Sequence, residues 1–177
     1  MSTQFRQRKF AKVFDLYDVN KDGYIDAADY ARVGEGLGTA TGSAPGSAGY
    51  EKMRSDYLEY WDQLRLGADT DHDGRVSQAE FVAHYETLPA IKETILAVVQ
   101  GILRLTDRDG DGKISQAEFA ADLQAHNVEA PAAAEAFSHL DRNGDGFIDT
   151  DELVLNVEEF FFGDDEQAPG SWLFGAL

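Results

Sequence analysis

Apolar side chains recur at three- and four-residue intervals on either side of four acidic, glycine-containing loops, which begin at Asp18, Asp69, Asp107 and Asp141. That interval predicts helices burying one face. Phe10, Val13, Phe14 and Tyr17 precede the first loop, and Tyr30, Val33 and Leu37 follow it. Met53, Tyr57, Tyr60, Trp61 and Leu64 precede the second, and Phe81, Tyr85 and Leu88 follow. The third lies between Ile91, Ile95, Val98, Val99, Ile102 and Leu103 on one side and Phe119 and Leu123 on the other. The fourth has Ala133, Ala136, Phe137 and Leu140 before it, and Leu153, Val157, Phe160 and Phe161 after it. Pro89 and Pro131 stand near helix starts, where a missing N–H costs little.

The pattern predicts an all-α chain of four helix-loop-helix units in two pairs packed as one compact globule. Residues 1–88 form the first pair, 89–162 the second, and 163–177 an apolar tail packing on the core. The third and fourth loops are the most closely spaced, which pairs them with each other and the first with the second. The stretch from Gly34 to Gly49 is rich in Gly, Ser and Ala and reads as a flexible linker. Gly163, Pro169 and Gly170 argue against helix beyond Phe162, yet Trp172, Leu173, Phe174 and Leu177 are too apolar to be left in water.

The loops carry the chemistry. Calcium-binding loops follow D-x-[DN]-x-[DN]-G-x5-E, with oxygen ligands at positions 1, 3, 5, 7, 9 and 12 and a backbone carbonyl at position 7. The second loop supplies Asp69, Asp71, Asp73, Arg75, Ser77 and Glu80; the third supplies Asp107, Asp109, Asp111, Lys113, Ser115 and Glu118. The fourth supplies Asp141, Asn143, Asp145, Phe147, Asp149 and Glu152. The first supplies Asp18, Asn20, Asp22, Tyr24, Asp26 and, at position 12, Asp29 in place of glutamate. Aspartate is one methylene shorter and reaches an ion through one oxygen or through water. The first site is therefore expected to hold calcium more weakly and to tolerate magnesium, which wants fewer ligands. Ile25, Val76, Ile114 and Ile148 stand at position 8, where paired loops join in short two-stranded contacts. Three full matches and one near match predict four calcium sites.

Charge agrees with that reading. The 177-residue chain carries 33 Asp and Glu against 15 Lys and Arg, a formal charge of −18. Such a chain repels nucleic acid and anionic membranes and attracts cations. The loops account for 16 of those acids, and four calcium ions would bring the charge to −10. With no cysteine there are no thiolate sites. The four histidines lack zinc spacing, and His72 sits at a non-coordinating loop position. No nucleophile–base arrangement is evident, so the chain reads as a non-enzyme. The basic start from Met1 to Lys9 has no apolar core after it, and the Ile91–Leu105 run is broken by charges, which predicts a cytoplasmic protein without a membrane span.

The four hands, the long first spacing, the tight second pair and the aromatic ending Val157-Glu158-Glu159-Phe160-Phe161-Phe162-Gly163 resemble the sarcoplasmic calcium-binding proteins, most closely their bacterial, calerythrin-like members. The resemblance implies EF-hands packed face to face, a tail closing the central apolar space, and calcium buffering or transport. Calerythrin-like proteins often carry a degenerate second loop, whereas Asp69–Glu80 is intact here. The alternative is a calcium sensor that exposes a target-binding surface. Sensors favour Met-rich grooves, and this chain has 2 Met. A monomer is expected, and no residue of the chain identifies a protein target. Tyr57, Tyr60, Trp61, His84, Tyr85 and Trp172 match the residue types with which related photoproteins hold a luciferin, but core packing explains them more simply.

Overall fold

A computed structural model describes residues 4–88 and 92–176. Pro89, Ile91, Leu177 and the first three residues, which figure in the expectations above, lie outside the described residues. In chain order the helices are α1 (Gln4–Tyr17), α2 (Ala27–Ala40), α3 (Ala48–Ala68), α4 (Gln78–Thr87), α5 (Lys92–Thr106), α6 (Gln116–Ala125), α7 (Ala130–Leu140) and α8 (Thr150–Phe162). A 3-10 turn, Pro169–Trp172, follows in the tail. Two-residue strands lie in the loops: β1 (Tyr24–Ile25), β2 (Val76–Ser77), β3 (Ile114–Ser115) and β4 (Phe147–Ile148). The chain is thus all-α with EF-hand geometry, as the periodicity predicts. Among the described residues no helix is long and apolar enough to cross a membrane.

The strands pair as the position-8 residues require. β1 runs antiparallel to β2 with Ile25 opposite Val76, and β3 antiparallel to β4 with Ile114 opposite Ile148. All four side chains are buried. Each contact therefore ties two loops by backbone hydrogen bonds and seals the joint with apolar side chains.

Contacts group the chain into two units. One comprises Phe10–Thr87 with Ala125–Asn127, and the other comprises 4–9, Leu88–Gln124 and 128–176. In the first, Phe14 meets Phe81 edge-on, and Tyr17 stacks on Tyr30 with ring centroids 4.7 Å apart. Tyr30 also meets Tyr57 and Trp61, and His126 stands edge-on to Tyr17 at 4.5 Å. In the second, Phe119 packs on Phe137, and Phe160 on Phe161 and Phe174.

The stretch from Gly34 to Gly49 is not a linker. Helix α2 continues to Ala40 and α3 begins at Ala48, so the connection is 41–47. The glycines serve close packing instead. A Cβ on Gly34 would fall 2.8 Å from the carbonyl oxygen of Met53, and one on Gly38 would fall 3.2 Å from Tyr50 Cα. Composition suggested freedom, whereas burial of one helix backbone against the next decided the outcome.

The end of the chain is ordered by specific contacts. Lys9, fully buried, donates from Nζ to the carbonyls of Glu159 (2.9 Å) and Gly163 (2.8 Å), capping the C-terminus of α8. Its ammonium lies 4.9 Å from the Phe5 ring and 5.3 Å from the Phe160 ring. Burial, followed by the neighbouring Arg6, lowers its pKa to about 8 despite the acids Asp164 and Glu159.

Candidate metal centre

Each loop is built by its own carboxylates before any ion is considered. The aspartate at position 1 accepts, through Oδ2, the N–H of the position-6 glycine in every loop: Gly23 to Asp18 (2.9 Å), Gly74 to Asp69 (3.1 Å), Gly112 to Asp107 (3.0 Å) and Gly146 to Asp141 (2.9 Å). Those glycines sit at φ between +83° and +89°, where a Cβ would be strained. The aspartate at position 5 accepts the N–H of position 7, as in Tyr24 to Asp22 (3.0 Å) and Phe147 to Asp145 (3.0 Å). These bonds turn the carboxylates at positions 1 and 5 toward the loop's own backbone.

Position 12 closes each loop. Glu118 accepts the N–H of Arg108 on Oε1 (2.8 Å) and that of Ser115 on Oε2 (2.9 Å). Glu80 spans Thr70 (3.0 Å) and Ser77 (2.9 Å), and Glu152 spans Arg142 (2.8 Å) and Asp149 (3.1 Å). The backbone N–H of Ser77, with further help from the Ser77 and Thr70 hydroxyls, holds the Glu80 carboxyl down at about 2. Burial pushes Glu118 up, but its hydrogen bonds from Ser115 and Arg108 outweigh this and the net shift is downward. Both carboxylates are thus kept ionised, as ligation requires.

Asp29 stands in the same place with a shorter reach. Its Oδ1 accepts the N–H of Asn20 (3.3 Å) and its Oδ2 that of Asp26 (3.1 Å), and Arg32 lies 3.6 Å from Oδ1. It is fully buried, and burial raises its pKa against the opposing pull of the Asp26 N–H. The ionised form is therefore less favoured in the first loop than at Glu80 or Glu118.

Whether these residues suit calcium turns on the donor set. Carboxylate oxygens of Asp69, Asp71 and Asp73 lie within 4.8 Å of one another, as do those of Asp107, Asp109 and Glu118. Asp69 Oδ1 is buried and has no hydrogen-bond partner among the described residues. An orphaned carboxylate oxygen in a cluster of like charge is costly unless a cation meets it. Hard oxygen donors at this spacing fit calcium.

Of the side-chain donors named from sequence, Asp69, Asp71 and Asp73 come together in the second loop and Asp107, Asp109 and Glu118 in the third. Tyr24, Arg75, Lys113 and Phe147 occupy position 7; Arg75 covers the Tyr24 ring at 4.0 Å and donates from Nη2 to Asp73 Oδ2 at 3.2 Å, and Lys113 lies 5.3 Å from the Phe147 ring. His72 is exposed. Sequence reasoning missed Arg142, Asn156, Glu159 and Gly170, which surround the fourth loop. Arg142 had a weak signal, a long cation at position 2 in a loop of acids. Gly170 had none.

Comparison with known proteins gives one consistent result. Residues 7–86 and 96–126 match families described as EF-hand domain pairs, and 132–161 matches the EF-hand domain. The chain is 30% identical to calerythrin of Saccharopolyspora erythraea, over 92% of this chain and 96% of that protein. It is similar in structure to the coelenterazine-binding protein of Renilla muelleri, solved in its calcium-loaded apo form: TM-score 0.80, 28% identity, 99% of this chain and 100% of that one. It shares a fold with a sarcoplasmic calcium-binding protein from amphioxus, with TM-score 0.70 and full coverage of both chains at 19% identity.

Proposed function

The chain belongs to the EF-hand calcium-binding family that includes calerythrin, and on that premise we propose that it is a cytoplasmic, monomeric calcium buffer or carrier and not an enzyme. All four loops serve as sites, with the ligands Asp18, Asn20, Asp22, Tyr24, Asp26 and Asp29; Asp69, Asp71, Asp73, Arg75, Ser77 and Glu80; Asp107, Asp109, Asp111, Lys113, Ser115 and Glu118; and Asp141, Asn143, Asp145, Phe147, Asp149 and Glu152. Bound calcium supplies charge neutralisation and a coordination centre. The chain supplies preoriented oxygens, and at position 12 a carboxylate already bonded to both ends of its loop. The first site is the weaker one and accepts magnesium, because Asp29 is short and its charge is disfavoured by burial.

One observation carries buffer over sensor. The apolar faces of α7 and α8 are occupied by the chain's own tail, with Leu173 buried and Phe174 packed 5.0 Å from Phe160. A sensor needs such a face free for a target. An apolar-surface dye, followed as calcium is added to metal-free protein in millimolar magnesium, tests this. Dye binding that falls or stays low with calcium supports the buffer. Dye binding that rises with calcium makes the protein a sensor.

A second reading, a carrier for a small aromatic ligand, is favoured by the likeness to the coelenterazine-binding protein and by the ring cluster of Tyr17, Tyr30, Tyr57, Trp61 and His126. Those rings fill their space with one another, so the buffer comes first. Saturable quenching of Trp61 by coelenterazine would reverse that order.

A further inference from the structure

The tail is fastened to both helices of the fourth hand. On the α7 side, Trp172 stacks on His139 with centroids 4.1 Å apart and planes 9° apart. On the α8 side, the N–H of Gly170 donates to Glu159 Oε2 at 2.8 Å. The approach is close: a Cβ on Gly170 would press on the carbonyl of Asn156 and fall 2.7 Å from Glu159 Cβ. The same Glu159 oxygen accepts from Arg142 Nη2 at 2.6 Å. Arg142 also donates to Asn156 Oδ1, from Nε at 3.2 Å and Nη2 at 2.8 Å, and Asn156 Nδ2 donates to the carbonyl of Leu140, the last residue of α7, at 3.0 Å. The backbone N–H of Arg142 binds Glu152 Oε1 at 2.8 Å. A continuous polar chain therefore runs from the position-12 carboxylate through Arg142 and Glu159 to the tail backbone.

We propose that Arg142 couples the fourth loop to the tail, so that a filled loop keeps the segment around Trp172 docked across α7 and α8 and an empty loop releases it. The proposal rests on the fourth loop being a calcium site. The physical basis is the like charge gathered at the fourth loop. In an empty loop the carboxylates of Asp141, Asp145, Asp149 and Glu152 repel one another and push the helices that carry them. A segment bonded to both helices cannot follow two diverging supports. Arg142 transmits the motion because its backbone is bonded to Glu152 while its guanidinium, in charge-assisted bonds, holds the acceptor of Gly170. Arg142 is a positioning residue here and contributes no side-chain ligand.

The test uses Trp61→Phe protein, in which Trp172 is the remaining tryptophan of the chain's 2. Calcium stoichiometry is measured by titration calorimetry, and Trp172 accessibility by acrylamide quenching with calcium and with chelator. Calcium removal is expected to increase quenching. Glu152→Gln, which disables the fourth site, is expected to give high quenching at all calcium levels. Arg142→Met and Arg142→Lys are expected to keep the parent's calcium count but lose the calcium-dependent change. The lysine variant keeps charge and bulk, so its loss points to the fork and not to misfolding. A Trp172 signal indifferent to calcium in a fully loaded parent overturns the coupling. So does a response that survives in Glu152→Gln or in either Arg142 variant. A parent that binds no calcium at the fourth loop, seen as the same stoichiometry with and without Glu152→Gln, overturns both the coupling and the four-site reading.

Discussion

Asp26 and Asp29 cap each other across the first turn of α2: Asp26 Oδ1 accepts the N–H of Asp29 at 3.2 Å, and Asp29 Oδ2 accepts the N–H of Asp26 at 3.1 Å. The same reciprocal box joins Asp149 and Glu152 at the start of α8. Reach separates the two: an aspartate fits the helix cap as a glutamate does, but its carboxylate is one methylene shorter. Asp29→Glu is therefore expected to leave thermal stability without metal nearly unchanged while tightening calcium at the first site by roughly an order of magnitude. Calcium titrations with and without millimolar magnesium check this, and magnesium competition should weaken in parallel.

Asp69 offers a cleaner separation of binding from folding. Its Oδ2 is used by Gly74, while Oδ1 is the buried, unpartnered oxygen. Asp69→Asn keeps an acceptor for Gly74 and turns an amide donor toward Asp71 and Asp73. The calcium count is expected to fall by one at low free calcium. The melting temperature in chelator is expected to hold or rise, because one member of a like-charge cluster is gone.

Gly34 and Gly36 lie two residues apart in α2 and predict opposite outcomes. Gly34→Ala drives a Cβ to 2.8 Å from the Met53 carbonyl and 2.9 Å from Arg54 Cα, backbone atoms that cannot rotate aside. It should destabilise by about 1–3 kcal/mol. Gly36→Ala meets Ala125 at 3.6 Å, an ordinary contact, and should stabilise by about 0.5–1 kcal/mol through helix propensity. Thermal melts in saturating calcium distinguish them, at about 2–4 °C per kcal/mol.

Lys9 sets a pH dependence of known sign. Burial first, then Arg6, lowers its folded-state pKa from 10.5 to about 8. Below pH 8 both folded and unfolded chains carry the proton and the desolvation cost is present in full. Between 8 and 10.5 the unfolded chain binds more protons, so this residue's contribution to stability rises with pH. Denaturant melts of the parent and of Lys9→Met should show the difference moving in the parent's favour across that window. A flat difference would place the ammonium in water.

Much of the site was legible in the linear order of residues because an EF-hand loop is local. Positions 1 to 12 are consecutive in the chain, glycine at position 6 supplies a positive φ that the turn uses, and the side chains bond chiefly to backbone in the same loop. Helical periodicity and the apolar position 8 likewise placed the helices and strand contacts. The Gly34–Gly49 stretch was misread as a linker because glycine signals either freedom or close approach, and Tyr50, Met53 and Arg54 of the neighbouring helix decide between them.

The sequence by itself determined what the loops can bind, since charge, donor type and spacing are written in twelve consecutive residues. Tertiary structure alone decided what the loops are connected to. Lys9 meets the end of α8 across 150 residues, and Gly170 reaches Glu159 through a backbone N–H that every residue type but proline carries. No local pattern marks such a bond, because it depends on where two distant segments are brought and not on what either of them is.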